Sequence, residues 1–342
     1  MATVWQAAVV ALVLLIPAAR AEPAAEGAGR DAVSAPSAQP AAPALPPAQV
    51  EEAGRLVASL ATVDDAQQTA ARRRLVELGP AAVAPLAAIL RDPKAPMHHR
   101  MAVAETLADV GRPAQAAMVA ALDDPDTFAR ASATQVLGLI GDAQTLRALL
   151  KPLGDADPYV RDKAAWALGR MGNAGALPDL VKAFREDTSL DVRTTAADAI
   201  GRLGSRAGVE PLVEGLKDPQ PRLRAASAEA ISLMGPILAS GARGELGRNK
   251  AAAALTVALA DTHWTVRAGA AEALGLLRDA DAVRPLADLL ADPDVRLIAV
   301  RAIGRIGSRA AKRILQDTAA NHAAEAVRRA AQEALQAGQA PG

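Results

Sequence analysis

Asp155-Ala-Asp-Pro-Tyr-Val-Arg161-Asp-Lys-Ala-Ala-Trp166-Ala-Leu-Gly-Arg-Met-Gly172-Asn-Ala-Gly-Ala-Leu-Pro178-Asp-Leu-Val-Lys-Ala-Phe-Arg185 is a phrase that this chain copies along most of its length. With Arg161 as anchor, the phrase returns at Arg100, Arg130, Arg193, Arg224, Arg267, Arg296 and Arg328, in steps of 30, 31, 32, 31, 43, 29 and 32 residues. A period near 31 residues denotes a stacked array. A glycine follows the anchor by eleven residues in most copies, as Gly111, Gly141, Gly172, Gly204, Gly235 and Gly307, where a helix that ends in a left-handed residue needs it. Gln68 and Gly79 repeat that spacing one step earlier, so the array begins there.

Apolar residues stand one before the anchor and three, seven and ten after it, as in Val160, Ala164, Leu168 and Met171 or Val192, Ala196, Ile200 and Leu203, which is one face of a helix. After the glycine comes a second apolar run, with Pro85, Pro178, Pro211 or Pro285 expected near its start, where a missing N–H costs little. Each unit therefore reads as a helical hairpin. Two short helices cannot bury their apolar faces alone, so stability must come from stacking on neighbours.

The pattern Asp-x5-Arg-x2-Ala-Ala-x-Ala-Leu-Gly-x2-Gly, seen from Asp155 to Gly172, from Asp187 to Gly204 and, in part, from Asp261 to Gly275, resembles the short HEAT-like repeat found in phycobilin lyases. The resemblance covers roughly residues 50–337. It implies an all-α fold, a right-handed α-solenoid of about eight to nine helical hairpins with the anchored helices on its concave side. No single activity follows, because the scaffold serves binders and enzymes alike.

Composition narrows the function. Lys plus Arg and Asp plus Glu both total 38, and a neutral array argues against general nucleic-acid binding. Cysteine is absent, which removes disulfides, a thiolate nucleophile, Cys metal sites and a lipid-anchor cysteine. Only four histidines exist, His98, His99, His263 and His322, and none stands in His-Glu-x-x-His or in the repeated His-Glu pairs by which some HEAT-like hydroxylases bind iron. No cofactor or metal is expected.

Along the chain, the apolar run Ala7 to Ile16 precedes Ala19-Arg-Ala21, a small-x-small cleavage pattern, so residues 1–21 read as a secretory signal cut after Ala21, although Met1 to Gln6 lack the usual positive charge. The run is too short to span a bilayer, so no stable membrane span is expected after its removal. Residues 22–48, with six prolines, read as a disordered Ala/Pro-rich linker, 49–337 as the solenoid and 338–342 as a disordered tail. The 43-residue step inserts 235–248, read as a surface loop, with Asn249 opening the next helix. Its Gly241, Gly244 and Gly247 suggest a phosphate loop, but no strand precedes them and no Gly-Lys-Ser/Thr follows. Contact with a partner is the other role open to it.

Five residues after the anchor a side chain points away from the core, and that column reads Glu105, Gln135, Trp166, Asp198, Glu229, Glu272, Arg301 and Glu333. One turn on lie Asp109, Leu139, Arg170, Arg202, Leu233, Leu276 and Arg305. An open wall of charges around one tryptophan points to a protein or peptide partner, with Trp166, Asp198, Arg170 and Arg202 central and Glu229 and Glu272 extending the surface. The competing reading folds Trp166 onto Ala197 or Gln135 as mere cover. Phe128 and Tyr159, two residues before their anchors, extend the site as an aromatic stripe, or else each seals its own turn. The Asp–Arg pairs such as Asp155/Arg161 read as structural, the Asp capping a helix and the Arg donating to adjoining units. A lyase-type enzyme and a structural envelope spacer are the alternatives to a non-catalytic, exported scaffold.

Overall fold

A computed structural model describes residues 45–62, 64–238 and 241–337, with side chains at 241–246 left aside; all belong to the unit Leu45–Gly342. Nineteen α-helices and no strand occur among the described residues. The expected leader, the linker up to residue 44 and the tail 338–342 lie outside them. The linker ends sooner than expected, since helix α1 already spans Pro47–Ser59.

The anchored helices are α2 (Asp65–Leu78), α4 (Met97–Val110), α6 (Thr127–Ile140), α8 (Pro158–Met171), α10 (Leu190–Leu203), α12 (Pro221–Leu233), α15 (Trp264–Leu277), α17 (Arg296–Ile306) and α19 (Glu325–Ala337). The second row comprises α3 (Pro80–Arg91), α5 (Gln115–Ala121), α7 (Leu146–Leu150), α9 (Leu177–Glu186), α11 (Val209–Gly215), α14 (Gly241–Ala258), α16 (Val283–Asp288) and α18 (Arg309–Asn321), with α13 (Gly235–Leu238) as a one-turn link. Successive hairpins stack into an all-α solenoid whose core is continuous from Ala53 to Ala331. The predicted apolar columns are inside: Val160, Ala164, Leu168, Val192, Ala196 and Ile200 are fully buried, while Met171 and Leu203 are half-buried.

The anchored helices approach one another almost backbone to backbone. A Cβ added at Gly138 would lie 2.5 Å from the Cβ of Ala167; at Gly169, 2.6 Å from the Cα of Ala199; at Gly275, 2.7 Å from the Cα of Ala302. These glycines stand eight residues after their anchors, a column whose part in the packing the periodicity alone does not disclose. The second-row helices meet each other at fewer points. A stack whose rows differ in spacing bends toward the tighter one, which puts the anchored helices on the concave side.

Each anchor ties two units together. Arg161 Nε and Nη2 donate to both carboxylate oxygens of Asp187 in the next unit, at 2.7 and 2.8 Å, while Nη1 donates to the carbonyls of Asp155 and Ala156 in its own. Arg130 with Asp155, Arg224 with Asp261 and Arg267 with Asp292 repeat the arrangement, and Arg100 and Arg193 vary it by donating to the carbonyls of Leu90 and Phe184. Only Asp126, which receives Arg100, also caps its helix; the other receiving aspartates do not cap as expected. Each of these accepts the backbone N–H two residues on, as Asp187 does from Ser189, and where a side chain caps the helix it is that of the later residue, as with Asp157. This Asx turn fixes each carboxylate before the guanidinium arrives.

Two expectations fail at the 43-residue step. The stretch 235–248 is not a loop: α13 and most of the first half of α14 are drawn from it, so Asn249 lies inside a helix. Gly235 does not terminate α12 in a left-handed conformation but opens α13. Helix α15 ends instead on Arg278 with φ of 52°, the one non-glycine with positive φ among the described residues, where Gly141, Gly172, Gly204 and Gly307 serve elsewhere. A side chain there costs on the order of 1 kcal/mol. Pro85, expected near a helix start, sits mid-helix, because α3 begins at Pro80.

Candidate partner-binding wall

Helix α8 carries Tyr159, Lys163, Trp166 and Arg170 at spacings of four, three and four residues, one stripe of alternating rings and cations. The Lys163 Nζ lies 5.0 Å from the Tyr159 ring centre and the Arg170 guanidinium 5.9 Å from that of Trp166. Tyr159 is 49% exposed. Trp166 is half-buried against the core and lies over Gly138 of α6, where an added Cβ would sit 3.4 Å from the indole Cζ3. Packing orients the ring, Arg170 braces it, and one side is left open to solvent.

Phe128 does not join this stripe as an open contact. Its ring is half-buried beneath the Arg100 guanidinium at 4.7 Å, so it completes the joint between α4 and α6. Sequence spacing alone cannot separate the two rings, because the difference lies in what the preceding unit places above them.

On the next three anchored helices Asp198, Glu229 and Glu272 follow one another across the wall. Asp198 is neutralised by Arg202 at 2.6 Å within α10, and Glu272 meets Arg305 at 3.3 Å, whereas Glu229 has no ion-pair partner among the described residues. Its carboxyl sits above the ordinary value of 4.5, first because the surrounding wall desolvates it, then because Asp198 and Glu272 repel its charge. Beside these carboxylates Leu233 and Leu276 are 46% and 44% exposed. The wall thus grades from a ring-and-cation stripe on α8 to an acidic strip with two leucines on α12 and α15. Lys163, which completes the stripe on α8, is not among the residues that the spacing singles out.

The histidines are spent on turns. His98 and His99 contact the carbonyls of Ala61 and Val57 in the preceding unit, and His322 that of Leu290. No group of three or more metal-ligating side chains occurs among the described residues, and no described helix is long and apolar enough to cross a membrane.

A surface of this kind, built on small-residue crossings and an Arg–Asp ladder, defines a helical-repeat scaffold. The chain belongs to the HEAT-repeat family, whose model matches residues 115–200, 180–240, 237–294 and 251–336. No curated protein matches the chain closely in sequence. Among solved structures it is similar to human deoxyhypusine hydroxylase in complex with glycerol, at 26% identity over 76% of this chain and 96% of that one, with a TM-score of 0.36. An engineered protein shares 20% identity over 85% of this chain and all of its own, at a TM-score of 0.43. The complex of CpcE and CpcF of phycocyanin lyase from Nostoc sp. PCC7120 shares 20% identity over 83% of this chain and 98% of that one, at 0.36.

Proposed function

We propose that this protein is an exported, non-catalytic scaffold that docks a protein or peptide partner on the concave wall of its solenoid. The observation that carries the reading is the oriented, partly exposed indole of Trp166, set in the stripe of Tyr159, Lys163 and Arg170 and beside the Asp198–Glu229–Glu272 strip. A braced aromatic loses little rotational freedom on contact and supplies a large apolar area, the usual profile of an interface hot spot. The strip favours a partner segment that presents an apolar anchor next to Lys or Arg. Export is supported by Ala7 to Ile16 and Ala19-Arg-Ala21.

The test is cross-linked capture by the mature chain from an envelope fraction, run in parallel with Trp166→Ala and Glu229→Lys. Each change is expected to reduce recovery of the same partner about 30-fold, equivalent to a hot spot of about 2 kcal/mol, with the melting temperature unchanged. Unaltered recovery, or an unfolded Trp166→Ala protein, overturns the reading. The elevated Glu229 pKa adds a pH signature. Because its folded value lies above 4.5, the strip loses negative charge earlier than free glutamate as acid is added. Affinity for a basic partner should therefore fall as pH drops from neutrality toward that value, and Glu229→Gln should flatten the profile.

A further inference from the structure

The one break in the array builds a cleft. Ser232 at the end of α12, Gly235 and Pro236 of α13, Arg248 of α14, and Leu276, Leu277 and Arg278 at the end of α15 enclose a cavity of about 370 Å³. Two arginines line it and no carboxylate does; among the described residues neither Arg248 nor Arg278 has an ion-pair partner. The anchors Arg130, Arg161, Arg193, Arg224 and Arg267 are each matched to an aspartate, whereas these two guanidinium groups meet no carboxylate among the described residues. Pro236 and Leu276, which is 44% exposed, add apolar lining to the same cleft. Arg278 lines the cleft from a left-handed backbone position that glycine occupies at other helix ends, a strained placement of the kind that gathers at binding sites.

We propose that this cleft binds the C-terminal carboxylate of a peptide that ends in an aliphatic residue, with Arg248 and Arg278 donating to the carboxylate and Leu276 and Pro236 packing on the terminal side chain. Guanidinium forks match carboxylates bidentately. The volume is near the lower end of ligand pockets, roughly 300–1,000 Å³, which suits a single terminal residue rather than a helix. The site is separate from the Trp166 wall and does not depend on it.

Fluorescence anisotropy of the whole chain with a labelled Gly-Ser-Gly-Ser-Ala-Leu peptide tests the assignment, using the free acid, its C-terminal amide and competing inorganic phosphate. The free acid is expected to bind saturably, the amide about tenfold or more weaker, with phosphate competing poorly because it lacks the apolar contact. Arg248→Gln and Arg278→Gly should each weaken the free acid about tenfold. Arg278→Gly relaxes the backbone, so its melting temperature should hold or rise while binding falls, which separates recognition from folding. Equal binding of acid and amide, full displacement by phosphate at equal concentration, or unchanged affinity in both variants overturns the proposal. Trp166→Ala should leave this binding intact, so failure here and failure of the concave wall are read independently.

Discussion

Gly169→Ala is expected to destabilise the solenoid by about 3 kcal/mol, read as a lower urea midpoint with an unchanged slope. The new methyl would sit 2.6 Å from the Cα and 2.7 Å from the Cβ of Ala199, and it meets backbone rather than a side chain that can swing aside. Relief requires α8 and α10 to separate. That movement strips contact from a core of small side chains, which has little spare volume to redistribute. Gly54→Ala in α1 is the matched control. Nothing lies within 4 Å of its added Cβ, so the same substitution should there stabilise the protein by about 0.5–1 kcal/mol through helix propensity. If both changes have the same sign, close approach does not govern the spacing of the anchored row.

Asp187→Ala should be of similar size, about 3 kcal/mol, and for an electrostatic reason. The Asp187 and Arg161 side chains are only 7% and 13% exposed, so removing the carboxylate leaves a largely desolvated guanidinium with two carbonyls of its own unit as partners. Lost as well is the Asx turn to the Ser189 N–H. The same group predicts a pH dependence. Burial alone would raise the Asp187 pKa, but the Arg161 hydrogen bond, the Ser189 N–H and the Arg161 charge together hold it below 3.8. For Asp155 and Asp261 the leading cause is the hydrogen bond from Arg130 and Arg224, with the same outcome. A carboxyl depressed by folding contributes stability above its unfolded value and loses it as pH falls through the folded one. Denaturant midpoints should therefore be flat from neutrality to about pH 5 and drop below 3.8, with the drop reduced in Asp187→Ala.

Much of this architecture is legible in the sequence because a repeat prints each rule several times. The apolar columns, the hairpins, the turn glycines and the open orientation of the Trp166 column all follow from spacing. The donation of each anchor to an adjoining unit is expected and found, as from Arg161 to Asp187, 26 residues on. What spacing does not give is that the receiving carboxylate is held in an Asx turn rather than on a helix start. Phe128 and Trp166 look alike as half-buried rings on repeated helices, yet one lies under Arg100 of the preceding unit and the other against Arg170 of its own helix. The stretch 235–248 misled because three glycines suggest a loop, while burial of Ala251, Ala252 and Leu255 farther along α14 draws the chain into a helix.

Arg224 and Asp261 are 37 residues apart, against 26 for Arg161 and Asp187, yet their contacts are the same 2.7 and 2.8 Å. The eleven additional residues have been absorbed without displacing the inner joint at all. Growth of this molecule is thus one-sided: its convex rim accepts foreign sequence, and its inner spine keeps a constant gauge. A tag or a second module grafted into the α9–α10 or α16–α17 connection therefore has to remain outside the Asx turn that receives the guanidinium, whereas the added helices α13 and α14 already show how a splice is tolerated.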